Sequence, residues 1–312
     1  MRRVTFCALA LAVALLAFPA SPAAAKRLIF NDLNSADIRS IDLDGSNLHT
    51  IFSTGDVSTS LAYDSQASKI YWGVDASANY IGRANLDGSD GVTFPLSDGP
   101  DALAIDSAAG KLYFAAEDSN TIQRLNLDGT GQETIITDPQ NYSYGLALDV
   151  AAGKLYWTLT GVARYVDRAN LDGSRQEDLI IEPGPGLTFG QPFGIALDVG
   201  GGKLYFSDED DSLFYRANLD GAGLEAFKPQ DAMHPHGIVL DLAAQRIYWA
   251  QRGGIGGSDF DGSNAVLYNV PGYPHNLILV PEPTAWLLAG GLWAIIVAIH
   301  TRKLTSHALA VC

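Results

Sequence analysis

The sequence predicts an all-β fold: a six-bladed β-propeller of four-stranded blades, its ring closed by a C-terminal strand that completes the first blade. Three recurring features carry this. An aromatic strand appears at Arg27–Phe30, Lys69–Trp72, Lys111–Phe114, Lys154–Trp157, Lys203–Phe206 and Arg246–Trp249, with starts 42, 42, 43, 49 and 43 residues apart. Asp-Gly pairs follow in step at Asp44-Gly45, Asp87-Gly88, Asp128-Gly129, Asp172-Gly173, Asp220-Gly221 and Asp261-Gly262. Apolar runs ending in Asp64, Asp106, Asp149, Asp198 and Asp241 precede every copy after the first. Self-similarity at this period, with four strand-like pieces per unit, is the signature of a propeller.

Each piece has a physical reason, seen most clearly in Gly145–Ile180. The run GLALD has the aliphatic density of a strand buried on both faces, which suits the innermost position. KLYW supplies large side chains to fill the wedge between neighbouring sheets. VDRAN alternates, and the Asp-Gly pair after it tolerates the positive φ angles of a primed hairpin turn into a more polar fourth strand. The Gly253–Gly257 run matches no dinucleotide fingerprint and reads as a flexible loop before the last hairpin. Closure follows from counting pieces. The ring opens on an aromatic strand with no apolar strand before it and ends on His275–Val280, an apolar strand with no aromatic strand after it. Pairing the two leaves no long edge open.

The flanks differ in composition. Met1-Arg2-Arg3 is basic, Val4–Phe18 is apolar and Ala23-Ala24-Ala25 is small, so residues 1–25 read as a secretory signal peptide cut after Ala25. The ring is residues 26–280. Residues 281–312 begin with Pro281, Glu282 and Pro283, continue in an apolar run predicting a transmembrane helix over about 284–299, and then carry Arg302 and Lys303. Cys7 and Cys312, the only cysteines, fall in the two flanks, so the ring has no thiol chemistry. Within 26–280 there are 16 Lys and Arg against 34 Asp and Glu. That balance excludes nucleic acid, which needs clustered cations. It accommodates cations, basic proteins or neutral glycans.

The combination of LxxD, K-L-Y-W and N-L-D-G-S resembles the YWTD, or class B, repeat of low-density lipoprotein receptors, and the resemblance covers Lys26–Val280. It implies a six-bladed propeller. The Asp that follows the aromatic pair by two in that family stands here only at Asp32 and Asp208, with Val74, Ala116, Leu159 and Gln251 at the equivalent positions. The family's Asp contacts between blades are therefore expected in two blades and not in four. Residues 281–312 resemble a PEP-CTERM sorting signal, which implies export to the cell surface or extracellular matrix of a bacterium and processing by an exosortase-type enzyme, the helix holding the chain in the membrane beforehand.

The residues two before the first aliphatic of each inner strand should ring the channel mouth: Thr59, Asp101, Tyr144, Phe193, His236 and His275. His236 and His275 belong to adjoining blades, and a neutral imidazole pair with Asp101 across the ring has the chemistry to bind a metal or move a proton. Asp208, Glu209, Asp210 and Asp211 form a loop on the same face, where mutual repulsion would be relieved by Ca²⁺ or a cationic ligand. No G-x-S-x-G, H-E-x-x-H or CxxC is present. The repeated aromatic pairs read as core, leaving Tyr142, Tyr144, Tyr165, Phe189 and Phe193, placed in loops, as candidates for ligand contact. The reading is a noncatalytic module at the cell surface that binds an extracellular protein or polysaccharide. The alternative is a propeller hydrolase or lactonase with a divalent metal at the channel mouth.

Overall fold

The computed structural model describes residues 26–137, 142–160, 165–181 and 190–281. The predicted signal peptide, Glu282, Pro283, the predicted helix over about 284–299 and the candidate Phe189 lie outside them. Among the described residues no helix is long and apolar enough to cross a membrane.

Lys26–Val280 forms one compact unit of six four-stranded antiparallel sheets. Blade 1 holds β1 (Lys26–Asp32), β2 (Asp37–Asp42) and β3 (His49–Ser53). Blade 2 holds β4 (Ser60–Asp64), β5 (Lys69–Val74), β6 (Tyr80–Asn85) and β7 (Val92–Pro95). Blade 3 holds β8 (Pro100–Asp106), β9 (Lys111–Ala116), β10 (Thr121–Asn126) and β11 (Glu133–Thr137). Blade 4 holds β12 (Tyr142–Asp149), β13 (Lys154–Thr160), β14 (Val166–Asn170) and β15 (Glu177–Ile180). Blade 5 holds β16 (Pro192–Asp198), β17 (Lys203–Asp208), β18 (Leu213–Asn218) and β19 (Glu225–Phe227). Blade 6 holds β20 (Ile238–Asp241), β21 (Arg246–Gln251), β22 (Gly254–Asp259) and β23 (Val266–Asn269). The last strand, β24 (Pro274–Pro281), joins blade 1 in the order β24-β1-β2-β3, the closure expected from the count of pieces.

The core sits in the clefts between blades. Tyr156, Trp157, Tyr248, Trp249 and their counterparts are all 5% exposed or less, so the aromatic strands are core as expected. β24 serves two clefts at once. Leu277 packs with Phe30, Tyr248 and Val270 between blades 6 and 1, whereas Ile278 and Val280 pack with Leu61, Ile70 and Trp72 between blades 1 and 2. Alternation across a strand sends successive side chains to opposite faces, which makes this possible.

Polar stitches cross the clefts as well. Arg83, Arg124 and Arg168 each reach from a third strand to a backbone carbonyl of the next blade, at Leu127 (2.9 Å), Leu171 (3.0 Å) and Leu219 (2.8 Å). Ser40 and Gly257 occupy this position in blades 1 and 6. Between blades 6 and 1 the Tyr268 hydroxyl donates to the Leu43 carbonyl instead, and Lys26 Nζ pairs with Asp241 at 2.6 Å.

Two local expectations are corrected. The Asp-Gly turns are not primed hairpins. In blade 2 the Gly88 amide donates to the Asn85 carbonyl, Gly88 alone of the Asp-Gly pair has a positive φ (+82°), and the Asp87 carboxylate accepts from the Ser89 amide at 3.0 Å. The aspartate is present for its carboxylate, as in an Asx turn, not for its φ. Equivalent bonds recur from Asp44, Asp128, Asp172, Asp220 and Asp261.

The glycine run is the second correction. Gly253 turns the chain, but Gly254–Asp259 is β22, a full strand. A Cβ on Gly256 would lie 2.0 Å from the Trp249 ring, and one on Gly257 2.8 Å from the Tyr248 ring. Packing of the aromatic pair overrides the poor strand propensity of glycine.

Candidate functional site

The inner strands deliver the predicted ring of residues to one place. Tyr144 and Phe193 stack with centroids 5.0 Å apart and planes 12° apart. Phe193 meets His236 and His275 edge-on, each at 5.0 Å, and the two imidazoles lie 4.8 Å apart. His275 Nδ1 lies 2.9 Å from the Thr59 carbonyl across the seam between blades 1 and 2. Thr59, Asp101, Tyr144, Phe193 and His275 then line one cavity of about 200 Å³ with Leu33 and Glu117. Tyr144 also borders a deeper channel cavity of about 290 Å³ walled by Leu61, Leu146, Ile195 and Ile238.

His236 is 3% exposed and sits behind Phe193, its Nε2 at 2.9 Å from the Tyr273 hydroxyl and 3.7 Å from the Glu209 carboxylate. Burial, reinforced by the neighbouring His275, pushes its pKa down to about 3, and burial pushes His275 down to about 4. The imidazoles are therefore neutral, as anticipated, and the approach to Glu209 is not an ion pair. Tyr142, Tyr144 and Phe193, expected in loops, open β12 and β16 instead, and Phe193 is 6% exposed. The inner strands of blades 4 and 5 extend past their apolar runs, with register irregularities near these residues.

Two site residues were not foreseen. Asp75 and Glu117 lie just beyond β5 and β9, and one carboxylate oxygen from each falls within 4.8 Å of one from Asp101 and of the other. They share one repeat position, three residues past the aromatic pair, whose other occupants are Leu33, Thr160, Glu209 and Arg252. Reading that column through the repeat would have found them. Burial and then Glu117 push Asp101 up to about 8, and the same two causes raise Asp75. Burial and then the charges of Glu117 and Asp101 raise Tyr144. Among the described residues no lysine or arginine pairs with any of the three carboxylates.

The run Asp208–Asp211 is arranged differently. Asp208 is fully buried and accepts from the amides of Gly190 (2.8 Å), Gln191 (3.1 Å) and Asp211 (3.1 Å), while Asp210 is exposed. Asp32 does the same in blade 1, accepting from the Tyr273 and Asn34 amides at 2.8 and 3.0 Å and from Arg39 at 3.1 Å. Val74, Ala116 and Leu159 are buried apolar residues at the equivalent position. Gln251 keeps a polar role there, accepting from Trp249 Nε1 at 2.8 Å and from the Met233 amide at 3.1 Å. Among the described residues the group of carboxylates close enough to share an ion is Asp75, Asp101 and Glu117.

Comparison with known proteins agrees with this architecture. The chain is 32% identical over 148 residues to mouse low-density lipoprotein receptor-related protein 5, covering 46% of this chain and 9% of the mouse protein. A low-density lipoprotein receptor-related protein 1 of the fungus Pyricularia oryzae is 30% identical over 143 residues, covering 39% of this chain and 46% of the fungal one. The chain thus spans less than half the length of either relative. A chain of the crystal structure of a nidogen/laminin complex superposes with a TM-score of 0.72 over 81% of this chain and 98% of its own, at 18% identity. The fold is shared. No family model matches the sequence.

Proposed function

We propose that this protein is a noncatalytic binding module that takes an extracellular protein at the channel-mouth face. The observation that carries this reading is the mouth cavity, where aromatic, imidazole and carboxylate side chains from four blades converge with Thr59 of a fifth. Sites of this make-up, mostly apolar with a few placed polar groups, bind ligands. The receptor-related relatives favour a protein over a polysaccharide as the partner. A partner recovered from the cell surface should be lost by Tyr144→Ala at the mouth and kept by Asp172→Lys in a turn on the opposite face. Loss with the second variant and retention with the first would move the binding surface elsewhere.

Export and surface delivery complete the reading and rest on sequence: the signal peptide over 1–25, and the Pro281-Glu282-Pro283 motif with its apolar run as a substrate for an exosortase-type enzyme. Cell-surface protein that retains Trp293 would overturn the processing step. The convergence of Asp75, Asp101 and Glu117 gives the hydrolase reading its one foothold. Metal analysis decides it, since that reading requires a stoichiometric divalent ion, and the same measurement tests calcium on Asp208–Asp211.

A further inference from the structure

We propose that a second binding site, for a neutral oligosaccharide, lies on the face opposite the mouth, in the cleft between blades 5 and 6. Antiparallel pairing brings the β20–β21 hairpin and the Asp261-Gly262 turn to that face, away from His236, which precedes β20. There Arg216, Ala244, Gln245, Asp259, Phe260 and Asp261 line a cavity of about 440 Å³. No mouth residue takes part, so the site goes beyond the protein-binding reading and does not depend on it.

Two observations set this cleft apart. The first is width. Arg216 Nη1 lies 3.4 Å from the Phe260 carbonyl, against 2.8–3.0 Å for the equivalent bonds of Arg83, Arg124 and Arg168. A Cβ on Gly262 would meet nothing closer than 3.2 Å, whereas one on Gly45, Gly88, Gly129, Gly173 or Gly221 would meet the neighbouring blade at 2.0–2.7 Å.

The second is that the repeat is broken where the cavity is lined. Leu43, Leu86, Leu127, Leu171 and Leu219 stand before the Asp-Gly pairs of blades 1–5, and Phe260 stands there in blade 6. Ser68, Gly110, Gly153 and Gly202 hold a positive-φ position in the inner hairpins that blade 6 gives to Gln245, at +53°. That conformation favours glycine, and the exposed Gln245 side chain has no protein partner among the described residues. Asp259, where blades 2–5 have asparagine, is answered by Arg246 at 3.0 Å. Phe260 rests against Tyr205 with centroids 5.1 Å apart, yet stays half-buried at the cavity wall. The other blades show that the fold accepts leucine and glycine at these two positions.

The chemistry of the walls selects a sugar. An aromatic ring offers its electron-rich face to the polarised C–H bonds of a pyranose. A carboxamide and a carboxylate offer donors and acceptors to neighbouring hydroxyls, which are themselves both. Asp261 holds the Ser263 amide and hydroxyl through one oxygen, leaving the second to a ligand. Glu225 neutralises Arg216 at 2.6 Å and Arg246 neutralises Asp259, so Asp261 is the surplus charge of the lining. With 34 acidic against 16 basic side chains in the ring, that surplus turns away an acidic sugar. The volume falls within the range of about 300–1,000 Å³ usual for ligand pockets.

The test is calorimetric titration of the purified protein with cellotriose, maltotriose and mannotriose, and with trigalacturonate as the acidic counterpart. At least one neutral trisaccharide should saturate with a Kd below about 10 mM, and trigalacturonate should bind at least tenfold more weakly. Phe260→Leu restores the residue of the other blades and should weaken binding at least fivefold. Gln245→Gly, a second such restoration, serves should Phe260→Leu melt early. No saturation by any neutral trisaccharide, trigalacturonate binding within tenfold of the neutral ligand, or unchanged binding by a folded variant overturns the proposal. Loss on Tyr144→Ala without loss on Phe260→Leu moves the saccharide to the mouth and overturns it as well.

Discussion

β24 should be worth as much to the ring as a core element, because each of its faces closes a different cleft. Leu277 is 2% exposed and belongs to the cluster between blades 6 and 1; Ile278 is 9% exposed and belongs to the cluster between blades 1 and 2. Replacing either by alanine deletes buried methyl groups and leaves a cavity, at a cost of about 2–5 kcal/mol. For a domain somewhat above 200 residues this lowers the melting temperature by roughly 5–15 °C. The two side chains share no cluster neighbour, so the costs should add to within about 0.5 kcal/mol. Their sum approaches the roughly 5–15 kcal/mol that holds a typical protein folded. Thermal and urea unfolding of L277A, I278A and the double variant reads this directly. A double variant no less stable than the worse single, or a single that melts within about 2 °C of the parent, would refute the assignment of β24 to two clefts.

Other outcomes follow from the stitches, the aromatic packing and the buried titratable groups. Arg168→Ala loses the 2.8 Å bond to the Leu219 carbonyl of the next blade and the contact with Glu177. A loss of about 1.5–3 kcal/mol is expected in urea unfolding, against less than about 0.5 kcal/mol for the exposed Arg175→Ala. Gly82→Ala puts a Cβ 2.1 Å from the buried Trp72 ring and should cost about 1–3 kcal/mol by overpacking, visible as a lower melting temperature. His236 and His275 have lowered folded-state pKa values, so their contribution is full above pH 6.5 and is lost as pH falls toward about 4 and then 3. Each adds a slope of up to about 1.4 kcal/mol per pH unit. Asp101, with its raised value, acts oppositely: its contribution is full below pH 3.8 and lost as pH rises through about 8. Asp101→Asn should therefore show a steeper fall in melting temperature between pH 6.5 and 4 than the parent, and a parallel curve would contradict the assignment.

What the sequence made legible is whatever repeats. The count of apolar and aromatic pieces is enough to place β24 in blade 1, because a missing inner strand at one end and a surplus at the other admit one pairing. The inner-strand register likewise groups Thr59, Asp101, Tyr144, Phe193 and His275, which line one cavity, with His236 packed against Phe193. Departures arise where side-chain packing decides. The Gly253–Gly257 run looks like a loop by propensity, and only the bulk of Trp249 and Tyr248 explains why glycine is required at positions 256 and 257 of the strand beside them. Asp-Gly pairs admit two turn mechanisms, and the one used is chosen by a hydroxyl or amide two residues from the aspartate.

The acidic residues carry the more general point. Asp208–Asp211 draw the eye because they are adjacent in the chain, yet Asp208 is consumed by three backbone amides and Asp210 faces solvent. Asp75 and Glu117 are 42 residues apart, one repeat period, and meet Asp101 at the mouth. In a closed ring, neighbours at the channel are fixed by blade register and not by proximity along the chain. A site is thus written down a column of the repeat, one residue per blade. Charge in such a column matters in proportion to how little the fold itself uses it. The turn aspartates satisfy Ser, Thr and Ala amides, Asp32 and Asp208 satisfy connecting loops, and Asp241 pairs with Lys26. The carboxylates of Asp75, Asp101 and Glu117 face mainly one another, and burial together with Glu117 raises the pKa of both Asp101 and Asp75.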